Sequence, residues 1–289
     1  MLDELKAILR ACELCPRLCR VNRLAGEVGR CGAGPGPEIS SVGPHFGEEP
    51  PLVGLGGPAH RAGGSGTIFF TGCNLGCVFC QNFEISHCQD GRRITEEALA
   101  DAMLGLERIG CHNVNWVTPT HQVPAILAAL RIARSRGLSI PTVFNCGGYE
   151  RVEILRMIEG QVDIYMPDAK FFSPATAERF ASAPDYPKVA QAALMEMHRQ
   201  VGDLQIRDGI AARGLLVRHL VMPGCGDESI AILDFIAREI SPNTYVNVMD
   251  QYRPAYRAHE FPEISRRITR SEYLRVLRHA EKLGLRISD

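Results

Sequence analysis

Thr67-Ile68-Phe69-Phe70-Thr71-Gly72-Cys73-Asn74-Leu75-Gly76-Cys77-Val78-Phe79-Cys80 sets a short apolar run directly ahead of three cysteines spaced C-x3-C-x2-C. The run over 67–71 reads as a buried strand. Gly72 and Gly76 let the chain after it turn tightly, so one loop can aim three thiolates at one point. Soft thiolates suit an iron–sulfur cluster or zinc. Three cysteines leave one iron of a four-iron cubane without a thiolate from this motif, and an open position points to reactivity, as it does in catalytic zinc sites. A structural zinc loop or unliganded buried thiols are the plain alternatives.

Downstream of this loop, strand and helix patterns alternate. Strands are predicted over 67–71, 113–118, 141–145, 162–166, 215–221 and 245–249, and helices over 96–109, 124–136, 175–181, 187–201, 228–239 and 271–283, with another ending at Leu155. Thr95 is a natural N-cap and Gly110 and Gly137 are natural stops. Six strand–helix units predict an α/β fold, a parallel sheet curled into a partial (β/α)6 TIM-type barrel, with a small Cys-rich N-terminal segment. Residues 1–66 are that segment and its Gly/Pro-rich connection; residues 67–289 are the barrel.

Upstream, a short amphipathic helix over 2–10 leads to Cys12, Cys15, Cys19 and Cys31, spaced C-x2-C-x3-C-x11-C. Four thiolates close a tetrahedral site, for which zinc and a fully ligated cluster both fit. Residues 32–66 read as an extended connection over the surface. The runs Gly54-Leu55-Gly56-Gly57 and Gly63-Gly64-Ser65-Gly66 are not a dinucleotide loop, because they precede a strand instead of following one.

Functional groups of such a sheet gather at the carboxyl ends of its strands. There the chain has Thr118-Pro119-Thr120-His121, Asn145-Cys146-Gly147-Gly148, Asp168-Ala169-Lys170, Arg218-His219 and Asp250-Gln251. Asp168 and Lys170, two apart, point to one side. Arg218 sits in an apolar run and needs a partner.

With 289 residues, a net charge of −1 and eleven cysteines, the chain gives no general case for nucleic-acid binding. Nine basic against four acidic residues between Arg253 and Arg286 read as a solvated helix face, without the aromatic interleaving that stacks single strands. No apolar run approaches the ~18 residues of a membrane span, and residues 1–10 are not a secretory signal. Clustered cysteines in a reducing compartment read as metal ligands, so the expected location is cytoplasmic.

The cysteine spacing, with Phe79 before the last cysteine, resembles the signature of the radical S-adenosylmethionine (SAM) superfamily. Asp168-Ala169-Lys170, and Arg218 ahead of Val221-Met222-Pro223-Gly224, are similar to its pyruvate formate-lyase activating enzyme-like branch, and Cys15-Pro16-Arg17-Leu18-Cys19 to a subgroup of that branch. The resemblance implies a [4Fe-4S] cluster on Cys73, Cys77 and Cys80, with SAM chelating the open iron. It implies reductive SAM cleavage to a 5′-deoxyadenosyl radical that takes hydrogen from a substrate, such as a glycyl residue of a partner enzyme or a peptide. A reductant protein such as flavodoxin or ferredoxin is implied too. Asp168, Lys170 and Arg218 are the implied SAM contacts, joined by His121 and Asn145 at the strand ends. Two departures stand out: Thr118-Pro119-Thr120-His121 replaces the Gly-Gly-Glu that holds the SAM amine, and the extra cysteines precede the radical motif. A non-enzymatic iron–sulfur electron carrier or redox sensor is the alternative, and a zinc-stabilised binding module a third.

Overall fold

A computed structural model describes residues 1–54 and 63–288. Ten strands occur in chain order: β1 Glu38–His45, β2 Ser65–Phe70, β3 Arg92–Arg93, β4 Val114–Val117, β5 Thr142–Cys146, β6 Ile164–Pro167, β7 Gln205–Arg207, β8 Ile210–Leu220, β9 Tyr245–Met249 and β10 Arg286–Ile287. Among the described residues nine of them form one curled sheet in the order β10-β9-β8-β6-β5-β4-β2-β1-β3, and β7 pairs with β8 off this path. From β2 to β10 every neighbouring pair on that path is parallel, and the strands follow chain order. The sheet does not close on itself; it is a partial TIM-type barrel, with the six predicted strands at its centre.

Helices cover the outer face at the predicted places: Glu96–Arg108, Val123–Ser135, Val152–Met157, Pro174–Ala181, Tyr186–Val201, Gly226–Phe235 and Arg270–Lys282. Their ends are fixed by local chemistry. Thr95 accepts from the Ala98 N–H at 3.1 Å, and Thr269 and Glu272 form a reciprocal capping box.

Strand residues alternate between the two faces. Phe144, Tyr165, Val217 and Val246 point outward into the main core under the helices. Their neighbours Val143, Ile164, Met166, Leu216 and Tyr245 fill the barrel interior. One step further along the same inward rows stand Asn145, Asp168, Arg218 and Asn247, at the rim of open space. The barrel is therefore apolar at its floor and polar at its mouth.

The connection predicted over the surface behaves otherwise. Glu38–His45 is strand β1, antiparallel to β2 from Ile39↔Phe70 to His45↔Ser65. Pro44 is tolerated there because the two-residue β3 pairs only with Glu38 and Ile39, leaving Pro44 on an edge. The chain then turns inward: Pro50–Val53 is a short helix packed against β8, and Leu52 is fully buried among Val143, Ile164 and Leu216. Leu52 plugs the barrel floor, and its carbonyl accepts from Asn113 Nδ2 at 2.9 Å. A second feature without a sequence prediction is the β7–β8 hairpin. It turns on Asp208 and Gly209, both at positive φ, as a two-residue Asp-Gly turn requires. Leu55, Gly56 and Gly57 of the glycine run lie outside the described residues.

Candidate active site

The loop after β2 is held from several directions. Gly76 N–H donates to Ala181 O at 3.3 Å, Val78 N–H to Phe180 O at 2.9 Å, and Arg257 N–H to Val78 O at 2.8 Å. Asn74 Nδ2 donates to Tyr149 O at 2.7 Å. Phe79 lies edge-on to Phe171, with centroids 6.1 Å apart. So fixed, Cys73, Cys77 and Cys80 line one wall of a cleft of about 240 Å³. The opposite wall carries Asn145, Asp168, Lys170 and Arg218 from the ends of β5, β6 and β8.

These polar groups form a network. Asp168 accepts from Lys170 Nζ at 2.6 Å and from Arg218 Nε at 2.9 Å, and Arg218 also donates to Asn145 Oδ1 at 2.8 Å. Burial pushes the Asp168 carboxyl up, but Arg218 and Lys170 together outweigh it and hold the group below the usual aspartate value. For Lys170, burial opposes the charge while Asp168 and Cys77 favour it, and the amine ends above its ordinary range. The strand ends meet closely: a Cβ on Gly148, whose φ is +77°, would stand 2.2 Å from Asp168 O.

The thiols tell the complementary story. Burial raises Cys77 to about 11, against the pull of Lys170. Cys73 rises too, from burial and the proximity of Cys77 and Cys80. Iron bound by these cysteines would have to displace their protons, since a metal ligand is the thiolate. Among the described residues no three His, Cys, Asp or Glu side chains draw together tightly enough to grip a single ion. The three thiols border a space instead. That donor set and spacing suit a cluster better than one zinc, whose ~2.3 Å bonds pull thiolates close together.

His121 stands apart. Its side chain is buried behind the cysteine loop, Nε2 lies 2.7 Å from Thr71 O, and it is not among the cleft-lining residues. Burial, opposed only by the Thr71 contact, lowers its pKa to about 4. The expected cofactor contact is thus corrected to a neutral packing position; the strand-end pattern misled because the short 3-10 turn Thr120–Gln122 rotates the ring away. Thr118 does line the cleft, at φ +60°, a costly conformation for a β-branched residue. Glu150 went unpredicted: wholly buried, it accepts from Thr120 Oγ1 at 2.7 Å, and burial lifts its carboxyl to about 8.

The N-terminal cysteines lie on the other side of the same strand. A Cβ on Gly72 would meet Cys31 O at 2.2 Å, so the two cysteine segments touch backbone to backbone. Cys12, Cys15 and Cys31 are buried and Cys19 half-buried. Burial pushes Cys15 up to about 12, with Cys31 and Cys12 adding to it. Beside them Arg23 is 1 % exposed and has no carboxylate partner among the described residues. It donates to Gly34 O at 2.9 Å and His121 O at 2.8 Å, with Cys12 Sγ at 4.0 Å. A buried guanidinium facing thiols and carbonyls fits a centre whose thiolates carry net negative charge.

The "Radical SAM superfamily" profile matches residues 67–236. "Uncharacterized protein MJ0674" of Methanocaldococcus jannaschii is 35 % identical over 291 aligned positions, covering 97 % of this chain and 77 % of that protein. Streptococcus suis SuiB bound to its precursor peptide SuiA shares 13 % identity and the fold at a TM-score of 0.50, over 75 % of this chain and 46 % of SuiB. SuiB bound to S-adenosylmethionine gives 14 %, 0.49, 75 % and 47 %. The chain thus spans about half the length of SuiB. No helix among the described residues is long and apolar enough to cross a membrane. With a profile covering more than half of its length and a relative aligned along nearly all of it, the chain belongs to the radical SAM superfamily, whose cofactors are a [4Fe-4S] cluster and SAM.

Proposed function

We propose that Cys73, Cys77 and Cys80 hold the [4Fe-4S] cluster, that SAM occupies the adjoining cleft, and that the protein abstracts a hydrogen atom from a substrate entering beside it. The observation that carries this reading is the convergence of three thiols and the Asp168–Lys170–Arg218 network on one cleft at the strand ends. When bound, the cluster supplies one electron and SAM the group that takes the hydrogen.

The chain's own residues do the placing. Arg218 gives Nε to Asp168 and one Nη to Asn145, and its remaining N–H groups suit a carboxylate such as that of SAM. Asp168 keeps Arg218 and Lys170 charged and fixed. Leu75, Phe79, Met222 and Met249 present apolar surface to the cleft and shield the reaction from water. Thr118 occupies the strand end where related enzymes carry a Gly-Gly-Glu segment. A reduced flavodoxin or ferredoxin in a cytoplasmic setting is the matching electron source. A peptide segment or a glycyl residue of a partner enzyme is the substrate suggested by the resemblance to activating enzymes. In this reading the N-terminal quartet holds zinc or a second cluster.

The test is anaerobic reconstitution with iron and sulfide, followed by SAM and a strong reductant, with 5′-deoxyadenosine read by mass spectrometry. Wild type is expected to make it, and a variant with Cys73, Cys77 and Cys80 all changed to Ala is expected to make none. Wild type that binds iron and never cleaves SAM overturns the proposal in favour of an electron carrier or sensor. Deuterium transferred into 5′-deoxyadenosine from labelled glycyl peptides would identify that substrate class.

A further inference from the structure

The cleft does not end at Arg218. Past Asn145, Arg218, Met249 and Gln251, which line both spaces, it continues into a second chamber of about 380 Å³. The chamber's walls include Phe69 of β2 and Asn247 of β9, strands that a closed barrel would bring together, and residues 45–50 of the inward-turning connection. Leu52, anchored in the barrel floor, fixes where that segment stands.

Two carboxylates of this segment face the chamber. Glu49 is 5 % exposed. Its Oε1 accepts from Asn247 Nδ2 at 3.1 Å and lies 3.9 Å from Arg218 Nε, while its Oε2 is sealed from solvent and has no hydrogen-bond partner among the described residues. The Glu48 side chain is 7 % exposed, and its Oε1 stands 3.1 Å from His45 Nδ1 without hydrogen-bond alignment. Arg218 does not neutralise the pair, because its short contact is with Asp168 at 2.9 Å. Lys170 is likewise held by Asp168. Among the described residues Asp168 engages both Arg218 and Lys170, only His45 stands close to Glu48, and burial pushes the Glu48 carboxyl up, so a ligand that brings positive charge suits this wall. Both carboxylates line the chamber, and a cationic ligand there offsets the cost of holding them in a largely desolvated place. A lone metal ion is the weaker fit, since no three ligating side chains among the described residues draw together around a point.

We propose that this chamber receives a positively charged nitrogen of the substrate, an ammonium or guanidinium group, on Glu49 and Glu48. The carbon chain bearing it then reaches past Arg218 to the thiol side of the cleft. The position of the hydrogen abstraction rests on the function proposed above; the binding of the cation does not.

The experiment uses the full chain, anaerobically reconstituted and saturated with SAM. Calorimetric titrations compare the tripeptide Gly-Lys-Gly, the free diamine cadaverine and the neutral Gly-norleucine-Gly. Wild type should bind the two cations and discriminate against norleucine, and Glu49→Gln and Glu48→Gln should each weaken cation binding at least about tenfold. Preference for the tripeptide marks a peptide source, preference for cadaverine a free amine. Ligand-free Glu49→Gln should melt no lower than wild type, since it removes an unpaired buried charge; a lower melting point marks Glu49 as a structural partner of Arg218 and overturns the assignment. Equal binding of lysine and norleucine tripeptides by wild type, unchanged binding in both variants, or stoichiometric Mn²⁺ binding abolished by Glu49→Gln would also overturn it. 5′-Deoxyadenosine is measured on the same wild-type preparation. If none forms while cation binding still depends on Glu49, the radical reading fails and the chamber stands; if it forms without cation discrimination, the chamber alone fails.

Discussion

The two cysteine groups of this chain lie back to back across Gly72 and are built for different ends. Cys73, Cys77 and Cys80 face open space, opposite an ion network that is itself tied to the strand ends. Cys12, Cys15, Cys19 and Cys31 sit in a segment closed by backbone bonds, Arg20 N–H to Cys12 O and Cys12 N–H to Val21 O, both at 2.9 Å. Each group keeps a buried cation nearby, Lys170 in one case and Arg23 in the other. What differs is the neighbour: three thiols line a cleft, whereas four lie in a closed segment, where bound zinc or a cluster would act as a staple. Arg17 joins the two, donating from the N-terminal segment to Asn74 O at 2.8 Å and Ala181 O at 3.2 Å.

The sharpest way to break this contrast is to remove the staple. Cys12→Ala with Cys15→Ala should abolish metal binding at the quartet and cost on the order of 5 kcal/mol or more, since binding energy at such sites is folding energy. Metal analysis and denaturant melts read both effects. In the cleft, Asp168→Ala takes the shared carboxylate from two half-buried cations and should cost about 3 kcal/mol, again by denaturant titration; Asp168→Asn, which keeps an acceptor, should cost less. Gly72→Ala attacks the joint. At φ +78° its new Cβ would meet Cys31 O at 2.2 Å, and a loss of about 2–3 kcal/mol is expected, with proteolysis beginning in the N-terminal segment.

The smallest effect is one of pH. His121, whose backbone carbonyl accepts from Arg23 and whose ring Nε2–H donates to Thr71 O, bridges the two groups. Its pKa is about 4 in the folded chain against about 6.5 unfolded. Between those values only the unfolded chain takes up the proton, so stability falls as the pH drops from about 6.5 to about 4. The slope approaches about 1.4 kcal/mol per pH unit. Equilibrium melts across that window should lose this component in His121→Gln. A slope unchanged in the variant would assign it to other groups.

Most of the barrel was legible because its signals are local. Each predicted strand is a short apolar run bounded by turn residues, and several helices carry a cap or stop of their own, as Thr95 and Gly137 do. Asp168 and Lys170 were legible because they directly follow a predicted strand, where polar groups gather, and they meet although β6 ends at Pro167. His121 and Asn145 looked alike in sequence, both being polar residues at strand ends. Asn145 continues an inward row and reaches Arg218, whereas one 3-10 turn carries His121 behind the loop. That turn has no composition signal separating it from a loop.

The amino-acid sequence by itself determined the alternation of strands and helices, the loop that gathers three thiols, and the family to which the chain belongs, because periodicity and spacing are properties of neighbouring residues. Only the tertiary structure decided that the Gly/Pro-rich connection pairs with β2, plugs the barrel with Leu52 and brings Glu48 and Glu49 to the chamber beside the cysteine-lined cleft. A polar, glycine-rich stretch carries no hydrophobic period, and its burial is dictated by the gap that an unclosed sheet leaves. That gap exists only once strands far apart in the chain have packed together.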